Sequence, residues 1–177
     1  NLYKMMQGHW DGDVTALGHK QIEALSRRFE SAHIDAVYSS DLRRTCLTAE
    51  AVSNPKGLEI ITDARLREIN VGPWETGFFA DLRHAHPELK RRFILDPDNW
   101  ELPGAETYAQ VQARAYEAIS EIAAKHEGDS IAMASHGITI RSFLSKVCGI
   151  PLTDVKRLPI FGNTAVTRLI YEKGAFT

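Results

Sequence analysis

His136 stands in MASHGITIR (133–141), where an apolar run stops and a helix-like stretch starts. An imidazole at such a junction is either a core residue or a group that handles protons and ligands. Glycine at 137 lets the backbone approach a ligand closely. The following helix aims its amino end at the same point, which favours an anion. The stretch VYSSDLRRTCLTAE (37–50) repeats the arrangement, with Arg43 and Arg44 in the first turn of a helix after a short apolar run. Arginines there oppose the helix dipole by about 0.3 kcal/mol or more, which makes sense where they meet an anion. Adjacent residues face about 100° apart on a helix, so one arginine reaches inward and the other faces solvent. The plain alternative is a pair of solvated surface arginines. LREINVGPWE (66–75) adds Glu68 and Glu75 in a loop with Gly72 and Pro73. An arginine fork suits phosphate oxygens, and a loop carboxyl beside them can hold a proton for a leaving group. The chemistry suggested is phosphoryl transfer.

Elements that could hold these groups alternate along the chain. Thr15 caps a helix over 16–31, with Leu17, Ile22, Leu25 and Phe29 near one face. IDAVYS (34–39) and LEIIT (58–62) read as strands, and a helix is predicted over 41–53 with Asp41 in its first turn. Residues 67–77 and 99–106 read as loops, and 78–86 and 87–95 as short helices, Pro87 suiting a first turn. A long helix over 106–127 stops at Gly128. SIAMAS (130–135) has the apolar core of a strand buried on both faces, 137–149 reads as a helix, and 164–172 as a last strand. Alternating strands and helices predict an α/β fold: one domain with a doubly wound, mostly parallel sheet between helical layers. Ligands of such sheets sit beyond the carboxyl ends of the strands, where His136 would stand.

Composition is that of an ordinary globular domain: 177 residues, 44% hydrophobic, 25% charged, net charge −2. Neither a nucleic-acid surface nor a membrane span is expected. Cys46 and Cys148 stand far apart in helical patterns, which predicts two reduced thiols and a cytoplasmic protein. No C-x₂-C or H-E-x-x-H spacing exists, so no metal site or cofactor is expected.

Several stretches together resemble the histidine phosphatase superfamily, the phosphoglycerate mutase-like fold. QGHWDGDVTALGHKQ (7–21) looks like its Q-G-x-x-D-x-x-L-T-x-x-G-x-x-Q stretch. SSDLRRT (39–45) resembles S-D-L-x-R-A, LREINVGPWE resembles L-R-E-x-x-x-G-x-W-E, PGAET (103–107) is similar to a G-E-S segment, and SHG (135–137) matches the second histidine motif. The resemblance implies a phosphate-binding Arg44, a proton-donating Glu68 and a catalytic His136, with Asn1, Gln7, Gly8 and Gly137 on the phosphate or substrate side. Thr45 and Ile138 stand where the family often has Ala and Gly.

The family's nucleophile lies in Arg-His-Gly-x-Thr-x-x-Asn, at the end of the first strand. Asn1 fits the last residue of that motif, so the nucleophilic histidine and the central first strand are expected just upstream, or donated by another chain. His9 is not taken as its substitute. Without that strand, backbone groups of the sheet would lie unpaired at about 1–3 kcal/mol each. The implied protein is a metal-independent phosphomonoesterase, monomer or homodimer, acting through a phosphohistidine on a small phosphorylated metabolite. A mutase is less well matched, because mutases resemble E-R-H-Y-G where this chain has Glu68-Ile69-Asn70-Val71-Gly72. A phosphate-binding pseudoenzyme is the alternative from another class. Trp74, Phe78, Phe79 and Trp100 are equally placed to line a pocket or to fill the core.

Overall fold

The computed structural model describes residues 4–159 and 162–177, so Asn1 lies outside the described part. Its centre is a parallel sheet of β1 (Ala36–Ser39), β2 (Ile60–Thr62) and β3 (Ile131–Ala134) in the order β2-β1-β3. Val37 stands opposite Ile60 on one side and Ala132 on the other. The chain leaves β1, returns at β2 and crosses over to β3, as expected of a doubly wound α/β fold.

The alternation of strand side chains explains the layers. Val37 points to one face and is buried with Leu25 of α1 (Ala16–Phe29) and with Ala49 and Val52 of α2 (Arg43–Ser53). Tyr38 points to the other face and packs with Leu66 and with Ala118 and Ile122 of α5 (Tyr108–Lys125). Ala115 of α5 meets Phe143 and Leu144 of α6 (Gly137–Val147). Thr15 caps α1 as expected, its side chain accepting from Gly18 N at 3.1 Å. Thr107 and Gln110 form a reciprocal capping box that starts α5.

Trp74 and Trp100 are core residues, 2% and 0% exposed, and they pack with Phe93 and Tyr108. Phe78 and Phe79 lie towards the surface, 48% and 36% exposed. Helices α3 (Phe79–Ala85) and α4 (Pro87–Leu95) cover this aromatic cluster. Lys90 of α4 is buried in it, with Nζ 3.4 Å from the Phe79 ring centre and 5.0 Å from that of Phe93. No carboxylate pairs with it among the described residues. Burial pulls its pKa down to about 8. The unfolded chain keeps this proton to about pH 10.4, so the folded state sheds it first and stability rises with pH between those values. The ring faces offset only part of the cost of the charge. Lys90→Met should therefore unfold at higher urea concentration, by about 1–3 kcal/mol at pH 7, and lose that advantage above about pH 10.

Two expectations for the sheet are corrected. β3 is only partly buried, because it is the outer strand among the described residues and faces a large cavity. The strand expected over 164–172 is reduced to β4 (Tyr171–Glu172), which pairs antiparallel with β5 (Ala175–Phe176). The hairpin closes between Ile170 and Thr177 at 2.8 Å. Its upstream half has no neighbouring strand among the described residues on which to pair, and Val166 and Ile170 are 38% and 50% exposed. The cavity, about 2530 Å³, runs between β3, α1 and residues 162–174.

Candidate active site

The carboxyl ends of β1 and β3 lie side by side, joined by Ser40 N donating to Ala134 O at 3.1 Å. Each strand turns there into a helix, α2 or α6, whose amino end opens on the cavity. His136 is the residue that precedes α6, held in extended backbone at φ −122° and ψ 166°. It is 7% exposed, and its Nε2 lies 2.8 Å from Ser40 Oγ. Ser40 Oγ is 2.5 Å from Thr45 Oγ1. Burial first, and then the charges of Arg44 and Arg114, push the imidazole pKa well below its ordinary value. His136 is therefore neutral at pH 7.

Arg43 and Arg44 part as their spacing predicts. The Arg43 side chain is 70% exposed and pairs with Asp13 at 3.0 Å. Arg44, 16% exposed, turns inward. Its Nη2 donates to Gly8 O at 2.7 Å and its Nη1 to Trp10 O at 2.9 Å and Asp11 Oδ1 at 3.2 Å. Asp11 also accepts from the backbone N–H of Arg43 and Arg44, so it caps α2 and offsets the arginines placed against the dipole. Asp41 does not enter the helix, because it forms an ion pair with Arg67 across the mouth.

At the amino end of α6 stands the carboxyl group of Glu68. Its Oε2 accepts from Ile138 N at 3.2 Å, and its Oε1 from Thr139 N at 3.2 Å and Ile69 N at 3.0 Å. Glu68 is held from behind by Arg114 of α5. One guanidinium nitrogen donates to Arg65 O and Arg67 O at 2.7 and 2.8 Å, the other to Glu68 O at 2.9 Å. The same guanidinium grips Glu106 at 2.7 and 2.9 Å. Burial alone would raise the Glu106 pKa, but bonds from Arg114 and from Asn70 N outweigh it and hold the carboxyl below the usual range. His9 closes the ring, with Nε2 2.9 Å from Glu68 O and 3.9 Å from Glu106. Arg114→Ala would leave those carbonyls and a mostly buried carboxylate without their donor. It should lower unfolding free energy by about 2–4 kcal/mol, read from the urea midpoint.

The arrangement sets a guanidinium, a neutral imidazole and a carboxyl group around one cavity: Arg44, His136 and Glu68 all line it. These groups suit a phosphoryl ester. Comparison with known families agrees with that chemistry, since residues 1–177 match the histidine phosphatase superfamily (branch 1). The chain belongs to the histidine phosphatase superfamily.

Its relatives in the superfamily carry more than one activity in their names. The chain is 33% identical over 174 residues to a probable phosphoglycerate mutase GpmB of Proteus mirabilis, spanning 97% of this chain and 80% of that one. It is 31% identical over 147 residues to phosphoserine phosphatase 1 of Hydrogenobacter thermophilus, spanning 83% and 70%. Among solved structures, Bacillus stearothermophilus YhfR superposes with a TM-score of 0.96 at 30% identity, over 100% of this chain and 88% of that one.

Of the remaining positions taken from the superfamily motifs, Asn1 lies outside the described residues and the others fall around the same cavity. Gln7, Gly8 and Gly137 line it with the three principal groups. Gly8 has φ +51°, and a Cβ there would stand 2.6 Å from Glu75 Oε1, so a side chain is excluded. Gly137 abuts Glu68, whose Oε2 would lie 3.9 Å from an added Cβ. Ile138, where the superfamily often has Gly, packs its side chain against the aromatic core and leaves its N–H for Glu68. Asp11, Ser40, Glu106 and Arg114 join the site without having been singled out in the sequence. Asp11, Ser40 and Glu106 stand at fixed positions of the Q-G-x-x-D, S-D-L and G-E-S-like segments, which carried a signal, whereas Arg114 lies outside all of them. Among the described residues, no three His, Cys, Asp or Glu side chains are grouped to hold a metal ion.

Proposed function

We propose that the protein is a phosphomonoesterase that works through a phosphohistidine on a small phosphorylated metabolite. The observation that carries this reading is the common cavity of Arg44, His136 and Glu68 at the carboxyl edge of the sheet. The nucleophilic imidazole would come from an upstream segment lying extended along the open edge of β3, in the cavity between that strand and α1. It would attack phosphorus in line, forming a P–N bond as the P–O ester bond breaks. Arg44 and His136 would hold the phosphoryl oxygens. Glu68 would give its proton to the departing alkoxide, and the N–H groups of Ile138 and Thr139 would receive the resulting carboxylate. In the second half-reaction Glu68 would take a proton from water as that water attacks phosphorus and frees the histidine.

Phosphatase is favoured over mutase by the residues after Glu68. Ile69 and Val71, each 1% exposed, are apolar and belong to the aromatic core, so nothing there matches the Arg and Tyr of the mutase-like pattern. Free Cys46 and Cys148 suit a reducing compartment, and the reading includes the cytoplasm. No described helix is long and apolar enough to cross a membrane.

The test is made on the full-length protein, whose intact mass and amino-terminal sequence are read first. It is then given phosphoserine and other small phosphomonoesters, with and without EDTA. Phosphate release unaffected by EDTA, with an acid-labile, base-stable phosphoprotein, is the expected result. Phosphate binding with neither release nor a phosphoprotein would instead make it a binding protein.

A further inference from the structure

Ser40, Thr45 and His136 form a continuous hydrogen-bonded chain whose members are 0%, 5% and 7% exposed. Two hydroxyls in series offer one proton each, so the chain can run in two directions. In the first, Thr45 donates to Leu42 O, Ser40 donates to Thr45, and His136 donates from Nε2 to Ser40. That leaves Nδ1 of the neutral ring as a bare acceptor. In the second, Thr45 donates to Ser40, Ser40 donates to Nε2, and the imidazole carries its proton on Nδ1.

The surroundings favour the second direction once a ligand is present. The Thr45 hydroxyl donates to Leu42 O at 2.8 Å, but that carbonyl also accepts from Thr45 N and Cys46 N, each at 3.0 Å, so the hydroxyl can turn to Ser40 without leaving Leu42 O unpaired. The 2.5 Å contact between the Ser40 and Thr45 hydroxyls serves this direction as well as the other, since either oxygen can donate. Ser40 Oγ then accepts from Thr45 and, at 3.4 Å, from Leu42 N. His136 lines the cavity, and with Nε2 engaged by Ser40 it is Nδ1 that is left for a ligand. A phosphoryl oxygen needs a donor there. A bare Nδ1 lone pair would repel it.

We propose that Thr45 and Ser40 are positioning residues: they donate in series to Nε2 and hold His136 as the Nδ1–H tautomer when a phosphoryl group occupies the cavity. The proposal rests on the phosphatase reading, in which His136 holds that group. It gives Thr45, where the superfamily often has Ala, a defined task. It also explains how a buried imidazole kept neutral by its surroundings can still donate to an anion.

The experiment uses full-length protein labelled with ¹⁵N in histidine, saturated with inorganic phosphate. Long-range ¹⁵N–¹H correlation spectra report which ring nitrogen of His136 carries the proton. The expected result is a single Nδ1–H tautomer in the wild type and in Thr45→Ser, which keeps the hydroxyl. Thr45→Val, of the same shape without it, should give a mixture of tautomers and bind phosphate about tenfold more weakly. Ser40→Ala should behave like Thr45→Val. An Nε2–H tautomer or a doubly protonated ring in the phosphate-bound wild type would overturn the proposal, as would an unchanged spectrum in both hydroxyl-deletion variants. If phosphate is turned over or bound while the tautomer ignores Thr45, the relay fails and the phosphatase reading stands. If phosphate leaves the His136 signals unmoved, the phosphoryl role of His136 fails as well.

Discussion

Glu68→Gln should lower turnover of an alkyl phosphate by about 10²–10⁴-fold, the usual worth of a positioned general acid. The amide has the size of the carboxyl and keeps one oxygen for Ile138 or Thr139, so the site should stay assembled. It cannot give up a proton to an alkoxide, nor take one from water. The loss should therefore depend on the leaving group. With p-nitrophenyl phosphate, whose phenolate leaves without help, the step that breaks the ester bond should be nearly normal in a rapid-quench experiment. With an alkyl phosphate the same step should be slow. The limb of the pH profile that reports the acid should disappear in the variant. A rate and pH profile unchanged by Glu68→Gln would remove Glu68 from the proton transfers and leave it as the cap of α6, a role its contacts with Ile138 N and Thr139 N already give it. Equal losses on both substrates would point to a displaced phosphoryl group instead.

The parts of this architecture that were legible in the sequence have local causes. Thr15 before an amphipathic run marks the start of α1, and Gly128 follows the end of α5 closely. Both signals act within one helical turn. His136 and the pair Arg43 and Arg44 could be singled out because they follow apolar runs, where an α/β sheet opens, whereas Arg44 over Arg43 and Glu68 over Glu75 were chosen by the resemblance to the superfamily motifs. What could not be read has distant causes. Arg114 looks like one more polar residue on a long helix, yet its donors end on Arg65, Arg67 and Glu68, carbonyls from 46 to 49 residues away. Asp11 meets the amino end of α2 from a loop 32 residues upstream. Asp41 was placed in the first turn of α2 because no local rule foresees Arg67 as its partner. The run 164–170 has the residues of a strand, but a strand also needs a neighbour, and the nearest sheet edge lies across the cavity. The apolar character of β3 raised the same difficulty. It predicted burial on both faces, whereas the outer position of the strand leaves it half-buried.

His136→Ala should reduce turnover by about 10²–10³-fold, as expected for the loss of one aimed donor from an electrostatic site. Arg44 is untouched by the change, so phosphate should still bind, though more weakly. The variant should also alter how the protein responds to acid, and this separates a working imidazole from a structural one. Burial and the neighbouring arginines keep His136 neutral in the folded state, so its pKa there is well below the ordinary value. The unfolded chain takes up a proton near pH 6.5. Between the folded pKa and that value the unfolded state binds more protons, so stability falls as the pH drops through the window. Alanine has nothing to protonate, and the urea midpoint of the variant should vary less between pH 7 and pH 5 than that of the wild type. Deleting the ring also leaves Ser40 Oγ and a void beside the cavity, so the variant should be less stable at neutral pH by about 1–3 kcal/mol. Near-normal turnover with that altered acid profile would make His136 a buried structural residue and would sink its assignment to the phosphoryl group. A turnover loss of the expected size, with folding intact at pH 7, would leave it the donor that faces the substrate.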